Sequence, residues 1–297
     1  MNRSYDLIIP LYNKENSIKK TILGAINQNK KFNKIIVVDD GSTDKSKEIL
    51  KELADKYDKI EILEQENQGV SFSRNRGAYH SKAEYIVFLD ADDILDENYL
   101  ENIEILVSSC NSKINIFSAK HYISGEEKKK VSNKKFHTSN YPILHYLLNK
   151  KIICASGICI KKKIFENYSF KNGVKTGEDI NFFLEIFSRE SLSWVNDYLI
   201  FVNKESENRS EAFWEIPYFL KNKKKISKLY KNFFSIFILE IFFLKNFYTS
   251  FYKIKLFHPH LMIEYEKVLS KLCFFEKAIL ELTKLKIFRK IYLKYRN

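Results

Sequence analysis

Along the chain, short apolar runs alternate with stretches whose apolar residues recur every three or four positions. Residues 5–10 (YDLIIP) read as a buried strand, and residues 17–28 place Ile18, Ile22, Ala25 and Ile26 on one helical face. Residues 34–39 form a second strand-like run. Gly41 then turns the chain, and Ser42, Thr43 or Asp44 can cap a helix whose apolar face is Ile49, Leu50, Leu53, Ala54 and Tyr57. A strand at 60–63, a helix at 71–81 and a strand at 85–89 continue the alternation as far as about Cys110. This pattern predicts the α/β class, with a mostly parallel sheet flanked by helices on both faces.

From 112 to 203 the pattern loosens. Strand-like runs at 114–119, 152–160 and 194–202 are separated by helices and by a Lys-rich hairpin around Gly125. From 211 onward the chain contains no glycine and reads as almost wholly helical. The apolar run at 233–244 (FFSIFILEIFFL) carries Glu240 and is too short to span a bilayer, which predicts a buried or interfacial helix.

Charge sharpens this division. The 297 residues carry a net charge of +13, yet residues 1–210 hold 32 Lys and Arg against 30 Asp and Glu, whereas residues 211–297 hold 18 against 7. A near-neutral body joined to a basic, Phe-rich extension points to an anionic partner for the extension. Basic runs interleaved with aromatics occur without any nucleic-acid reader motif. An anionic inner membrane leaflet is therefore the expected partner, not nucleic acid. Cys110, Cys154, Cys159 and Cys273 show no CxxC spacing and no partner histidines, which predicts buried thiols in a reducing compartment rather than disulfides or zinc. The N-terminal apolar run is too short for a signal segment, so a cytoplasmic location is expected.

Candidate chemistry lies at the ends of strands. Asp39 and Asp40 close one apolar run, and Asp90, Asp92 and Asp93 close another. In open α/β sheets the carboxyl ends of strands border the ligand site. Three carboxylates within four positions repel one another unless a cation or a donor compensates them. Mg²⁺ or Mn²⁺ clamping a diphosphate is one answer, and capping of the next helix, the better reading for Asp96, is the other. Between the clusters, NQGVSFSRNRGA (67–78) presents Arg74 and Arg76 at a helix start, suited either to a phosphate or ribose or to plain solvation. In KTGEDINFFLEIF, Glu178 and Asp179 open a helix. The macrodipole there favours ionised carboxylates, whether as a general base or as ordinary terminal charges. His258 and His260 flank Pro259 with no third ligand evident, which favours a helix-initiating loop over a metal site.

The segments IIPLYNKENSI, VVDDGSTDKS, NQGVSFSRNRGA and YIVFLDADD, in this order and spacing, closely resemble the family 2 inverting glycosyltransferases with the GT-A fold. The match is tight over the first 110 residues and looser to about 210. It implies a nucleotide-sugar-binding half at 1–110, an acceptor-binding half at 111–210 and a basic helical extension at 211–297. It also implies a donor, UDP-linked above all, bound by Pro10, Tyr12, Glu15, Asp39, Asp40, Asn67, Gly69, Arg74, Asn75, Asp90, Ala91 and Asp92. Asp90 and Asp92 would hold Mn²⁺ or Mg²⁺. Asp179, beside Glu178, would be the catalytic base. The acceptor would be a bacterial surface glycan such as O-antigen or capsule, on a lipid carrier at the inner membrane face. The match weakens at FVNKESENRS, where Lys204 or Arg209 stands in place of the family's usual residues. A nucleotidyltransferase is disfavoured because no Gly-rich, basic phosphate loop follows the first strand, and a non-catalytic nucleotide-sugar-binding scaffold is a further alternative.

Overall fold

The computed structural model describes residues 3–128, 135–206, 216–257 and 259–270. Strands β1 (Tyr5–Leu11), β2 (Lys34–Asp39), β3 (Ile60–Glu64) and β4 (Tyr85–Phe88) alternate with helices α1 (Ile18–Ile26), α2 (Ser46–Lys56) and α3 (Val70–His80). β5 (Ile94–Leu95) and α4 (Tyr99–Ser109) follow, then β6 (Ile116–Ile123), β7 (Phe136–Ser139), α5 (Pro142–Leu147), β8 (Ile158–Lys161), α6 (Lys162–Phe165), α7 (Glu178–Ile186) and β9 (Leu192–Val202). The remaining described helices are α8 (Tyr218–Lys221), α9 (Lys223–Ser227), α10 (Phe233–Phe257) and α11 (Met262–Ser270), with a 3₁₀ turn at Pro259–Leu261 before the last.

The nine strands among the described residues join one sheet in the order β3-β2-β1-β4-β8-β6-β9-β5, with β7 on β9. β1 lies at the centre of the first half, parallel to β2 with Leu11 opposite Asp39 and to β4 with Ile8 opposite Phe88. Every residue of β1 is buried, as a strand covered on both faces requires. Ile18 and Ile22 of α1, Leu50 of α2 and Ile103 of α4 pack into the same core. α3 lies close on β1 and β2: a Cβ on Gly77 would come within 2.5 Å of Ile8 Cγ2 and 3.2 Å of Val38 Cγ2.

Parallel pairing does not extend past β4. β8 runs antiparallel to both β4 and β6, and β5 and β7 run antiparallel to β9; only β6 and β9 pair in parallel there. The sheet is therefore mixed. Parallel neighbours are usually joined by a crossover helix, and between β6 and β8 the one helix among the described residues is the six-residue α5.

Three other expectations shift. Of the apolar run at 152–160, only the end is strand. Gly157, at φ 73°, donates its N–H to Phe88 O at 2.7 Å and accepts from Tyr99 Oη at 2.9 Å, so the preceding residues form a loop buried by these bonds. The helix expected from 96 starts at Tyr99. Asp96 instead folds the preceding turn, accepting from Asn98 N at 3.0 Å and pairing with Lys128. α10 runs 25 residues, past the apolar stretch that ends at Leu244, because Lys245 and Asn246 continue a helix as readily as apolar residues do. Among the described residues, no helix is long and apolar enough to cross a membrane. Cys110, Cys154 and Cys159 are free thiols, but only Cys159 is buried as expected; Cys110 and Cys154 are partly exposed, and Cys273 lies outside the described residues.

The chain divides into two compact units. One comprises 1–173 and 181–209, and contains the sheet; the other comprises 174–180 and 210–297. In the second unit, Phe219, Phe242 and Phe243 form an aromatic cluster, Lys223 pairs with Glu240 at 2.6 Å, and Lys221 pairs with Glu264 at 2.7 Å.

Candidate active site

Because β1 separates β2 from β4 and all three run parallel, the two acidic clusters emerge at the same edge of the sheet. At the end of β2, Asp40 N bonds to Leu11 O at 2.8 Å and anchors the turn to the central strand. The buried Asp40 carboxylate accepts from Gln65 Nε2 at 2.7 Å, Gln68 N at 2.8 Å and Gly69 N at 2.8 Å, and so closes the 65–69 loop onto the strand end. Asp39 Oδ1 accepts from Ser42 N at 3.0 Å. Gly41 is required between these groups: its φ is +75°, and a Cβ there would sit 3.1 Å from Asn67 N.

The residues after β1 are laced to the same turn. Asn13 Oδ1 accepts from Thr43 N at 2.7 Å, Lys14 N donates to Ser46 Oγ at 2.7 Å, and Glu15 Oε2 accepts from Lys45 N at 2.9 Å. Burial tends to raise the Asp44 carboxyl, but hydrogen bonds from Ser46 and from the Glu15 backbone outweigh it and hold the group below the usual carboxylate range. Pro10 is buried in β1, whereas Tyr12 is 42 % exposed and presents its ring beyond the strand end.

At the end of β4, each carboxylate has its own donor. Asp90 Oδ1 receives Arg74 Nη2 at 2.7 Å. Asp92 Oδ2 receives Lys14 Nζ at 2.9 Å and the Ser206 hydroxyl, and Lys14 also reaches Ser206 Oγ at 3.2 Å. Asp93 is buried and accepts from the Ser156 hydroxyl and from Asn203 N at 2.8 Å; burial, then Asp90 and Asp92, push its carboxyl well above the ordinary value. Ala91 O accepts from Thr21 Oγ1 at 2.9 Å, which fixes the backbone between the two outer aspartates.

These donors change the charge argument. The mutual repulsion of the three carboxylates is met by Arg74, Lys14 and Ser156, so it does not by itself require a metal. Among the described residues, no three His, Cys, Asp or Glu side chains gather as a metal cage. Two carboxylates nevertheless suffice for Mg²⁺ or Mn²⁺ on a diphosphate. Asp90 and Asp92 fit that requirement: Arg74 engages only Oδ1 of Asp90, Lys14 and Ser206 engage only Oδ2 of Asp92, and the Asp90 side chain is 35 % exposed.

Arg74 and Asn75 are both engaged by partners within the protein. The Arg74 guanidinium is buried, pairs with Asp90 and lies 5.0 Å from the centre of the Phe170 ring. Asn75 clamps the 170–172 segment through Phe170 O at 2.7 Å, Asn172 Oδ1 at 3.1 Å and Phe170 N at 2.9 Å. Both lie on the inward side of α3, which the sequence could not orient. In the loop before that helix, Asn67 is exposed, and Gly69, at φ 91°, has open space around its Cβ position.

Glu178 and Asp179 belong to the second unit and form the first turn of α7. Asp179 Oδ1 accepts from Ile180 N at 2.7 Å. Gly177 precedes them at φ +74°, and a Cβ there would lie 3.0 Å from Phe219 Cε1, so only glycine fits this approach. Lys204 is exposed and its backbone N–H bonds to Ser124 Oγ at 3.0 Å, while Asn208, Arg209 and Ser210 lie outside the described residues. His260 is exposed in the 3₁₀ turn, and His258 lies outside the described residues.

Lys14, Gln65, Ser156, Asn203 and Ser206 went unassigned from the sequence. Lys14 sits between two assigned positions and offered a signal; the serines, joined to partners more than sixty residues away, offered none.

Comparison with known proteins agrees with this arrangement. The Glycosyl transferase family 2 profile matches residues 6–169, more than half the chain. The glycosyltransferase GlyA of Streptococcus pneumoniae is 30% identical over 209 residues, covering 67% of this chain and 29% of GlyA. The cholesterol galactosyltransferase of Borreliella burgdorferi is 31% identical over 208 residues, covering 65% and 58%. The minor teichoic acid biosynthesis protein GgaB of Bacillus subtilis is 33% identical over 186 residues, covering 60% and 20%. The chain thus spans less than two thirds of the length of each of these relatives. The crystal structure of residues 1–349 of S. aureus TarS with UDP-GlcNAc shares the fold, with a TM-score of 0.68 at 19% identity over 83% of this chain and 73% of that one. With its strand-end carboxylates brought to one edge of a GT-A sheet, this chain belongs to glycosyl transferase family 2.

Proposed function

We propose that the protein is an inverting hexosyltransferase that moves a sugar from a nucleotide sugar to a hydroxyl of a glycan acceptor. The observation that carries this reading is the meeting of Asp39 and Asp40 with Asp90 and Asp92 across β1 in a family 2 chain. A UDP-linked donor is the first to test, because TarS, which shares the fold, was solved with UDP-GlcNAc and with UDP. A surface glycan on a lipid carrier at the cytoplasmic face is the favoured acceptor; similarity to GgaB and to a cholesterol galactosyltransferase supports that direction.

In this mechanism Tyr12 stacks on the base, while Pro10, Glu15 and Asp39 frame the nucleoside. Asp40 shapes the Asn67–Gly69 wall of that site and exchanges one of its loop hydrogen bonds for the base. Arg74 and Asn75 act from behind: Arg74 orients Asp90, and Asn75 holds the 170–172 segment. Asp90 and Asp92 would hold Mn²⁺ or Mg²⁺, which when bound neutralises charge on the diphosphate. Asp179, with Glu178 beside it at the positive end of α7, accepts the proton of the acceptor hydroxyl. That oxygen bonds to the anomeric carbon as the opposite C–O bond breaks toward the diphosphate, so the configuration inverts.

The test combines two readouts on Asp179→Asn. Thermal stabilisation by UDP-, GDP-, dTDP- and CMP-linked sugars, with and without Mn²⁺, reports donor binding by mass action. Transfer should fall by about 10²–10⁴-fold while the donor-induced shift persists. Undiminished turnover removes Asp179 from the mechanism, and no shift with any nucleotide sugar argues for a different ligand.

A further inference from the structure

Over its first turns, before the exposed Lys245, the outward face of α10 is apolar. Phe233 is 86 % exposed, Phe237 53 %, Ile241 43 % and Phe234 45 %. Spacing by four residues aligns Phe233, Phe237 and Ile241, with Phe234 beside them. The opposite face is apolar as well, but buried, through Ile238, Leu239, Phe242, Phe243 and Phe247. A surface helix ordinarily turns charged and polar groups to water, so large aromatics clustered on the outer stripe mark a contact surface.

Charge identifies what meets it. Exposed Lys224, Lys225, Lys228 and Lys231 immediately precede the stripe. α9 is tied to α10 by Lys223, which bonds Glu240 and lies over the Phe243 ring at 5.7 Å, so the lysines of α9 are held beside the stripe. Glu240, already paired, is the only acidic residue between 216 and 247. A second copy of the chain would place one basic surface against another, which the excess of 18 basic over 7 acidic residues at 211–297 disfavours.

We propose that Phe233, Phe234, Phe237 and Ile241 insert into the surface of an anionic bilayer while Lys224, Lys225, Lys228 and Lys231 engage its headgroups. The helix lies in the plane of the interface. Two turns of stripe, about 12 Å long, suit shallow burial of roughly 5–10 Å and not a crossing. This deepens the reading of a lipid-linked acceptor and rests on it for its purpose, because a membrane seat brings the enzyme to a substrate that cannot leave the membrane.

The test is co-sedimentation of the full chain with phosphatidylcholine vesicles, with and without phosphatidylglycerol. The wild type should bind the anionic vesicles in a salt-sensitive manner. Phe233→Ser with Phe237→Ser should weaken that binding by at least about tenfold, as should Lys224→Glu with Lys225→Glu. These side chains are exposed, so the variants should keep the melting temperature and the nucleotide-sugar-induced shift of the wild type. Loss of that shift would indict the donor reading separately. No binding by the wild type, equal binding by the aromatic variant, or a solution dimer that the aromatic variant breaks would each overturn the proposal.

Discussion

Lys14 Nζ lies 2.9 Å from Asp92 Oδ2, and both side chains are mostly shielded, at 12% and 14% exposure. With Asp90 and Asp93 so close in sequence, the ammonium offsets a local excess of negative charge. Lys14→Met should therefore lower stability by about 1–3 kcal/mol in denaturant unfolding. Mn²⁺ should then raise the melting temperature of the variant more than that of the wild type, because a bound cation replaces the lost charge. An equal response in both proteins would count against Asp92 as a metal carboxylate. At this scale the sequence announced acidic positions well and their partners poorly. Asp40, Asp90 and Asp92 stand at recognisable strand ends, but the donor to Asp93 comes from Ser156, which no local pattern connects to it. The fate of Arg74 depended on which side of α3 faces inward, and a helix that is polar along most of its length does not declare that side.

α3 is the element that joins the two acidic strand ends, and Gly77 sets how closely it lies on the sheet. A methyl group there would meet Ile8 Cγ2 at 2.5 Å. Gly77→Ala should cost about 1–3 kcal/mol by overpacking, despite alanine's better helix propensity, and an unchanged denaturant midpoint would show that α3 can lift away freely. The first four strands and three helices were legible because β2 and β4 are built on unbroken apolar runs, β1 and β3 are interrupted only by single acidic residues, and each helix except α3 shows a clear apolar face. The later elements were less so. Residues 152–157 are as apolar as a strand but form a buried loop, and β5, two residues long, is too short to leave a pattern.

At the scale of the molecule, acid sensitivity has an identifiable contributor. His121 of β6 is held neutral: burial, and then the positive charge of Lys151, lower its pKa to about 4, with Glu126 opposing and Lys204 adding. The unfolded chain binds this proton near pH 6.5 and the folded chain does not, so stability is lost as pH falls from about 6.5 toward 4. His121→Gln should lose less stability than the wild type across that window, whereas parallel pH profiles would exclude the histidine as the source. The basic character of residues 211–297 was legible from composition, but the aromatic stripe on α10 needed the fold, because an apolar run does not reveal which of its faces is covered.

Gly177, packed against Phe219 and Pro217, has a consequence for how this protein can be cut and joined. Residues 174–180, which carry Glu178 and Asp179, share a unit with the segment after 210 and not with the sheet. A chain ended near 210, or a fusion made there, removes the support of the Asp179 turn along with the basic helices. Removing the tail therefore confounds two losses, and point changes on the outer stripe of α10 separate them where deletion does not.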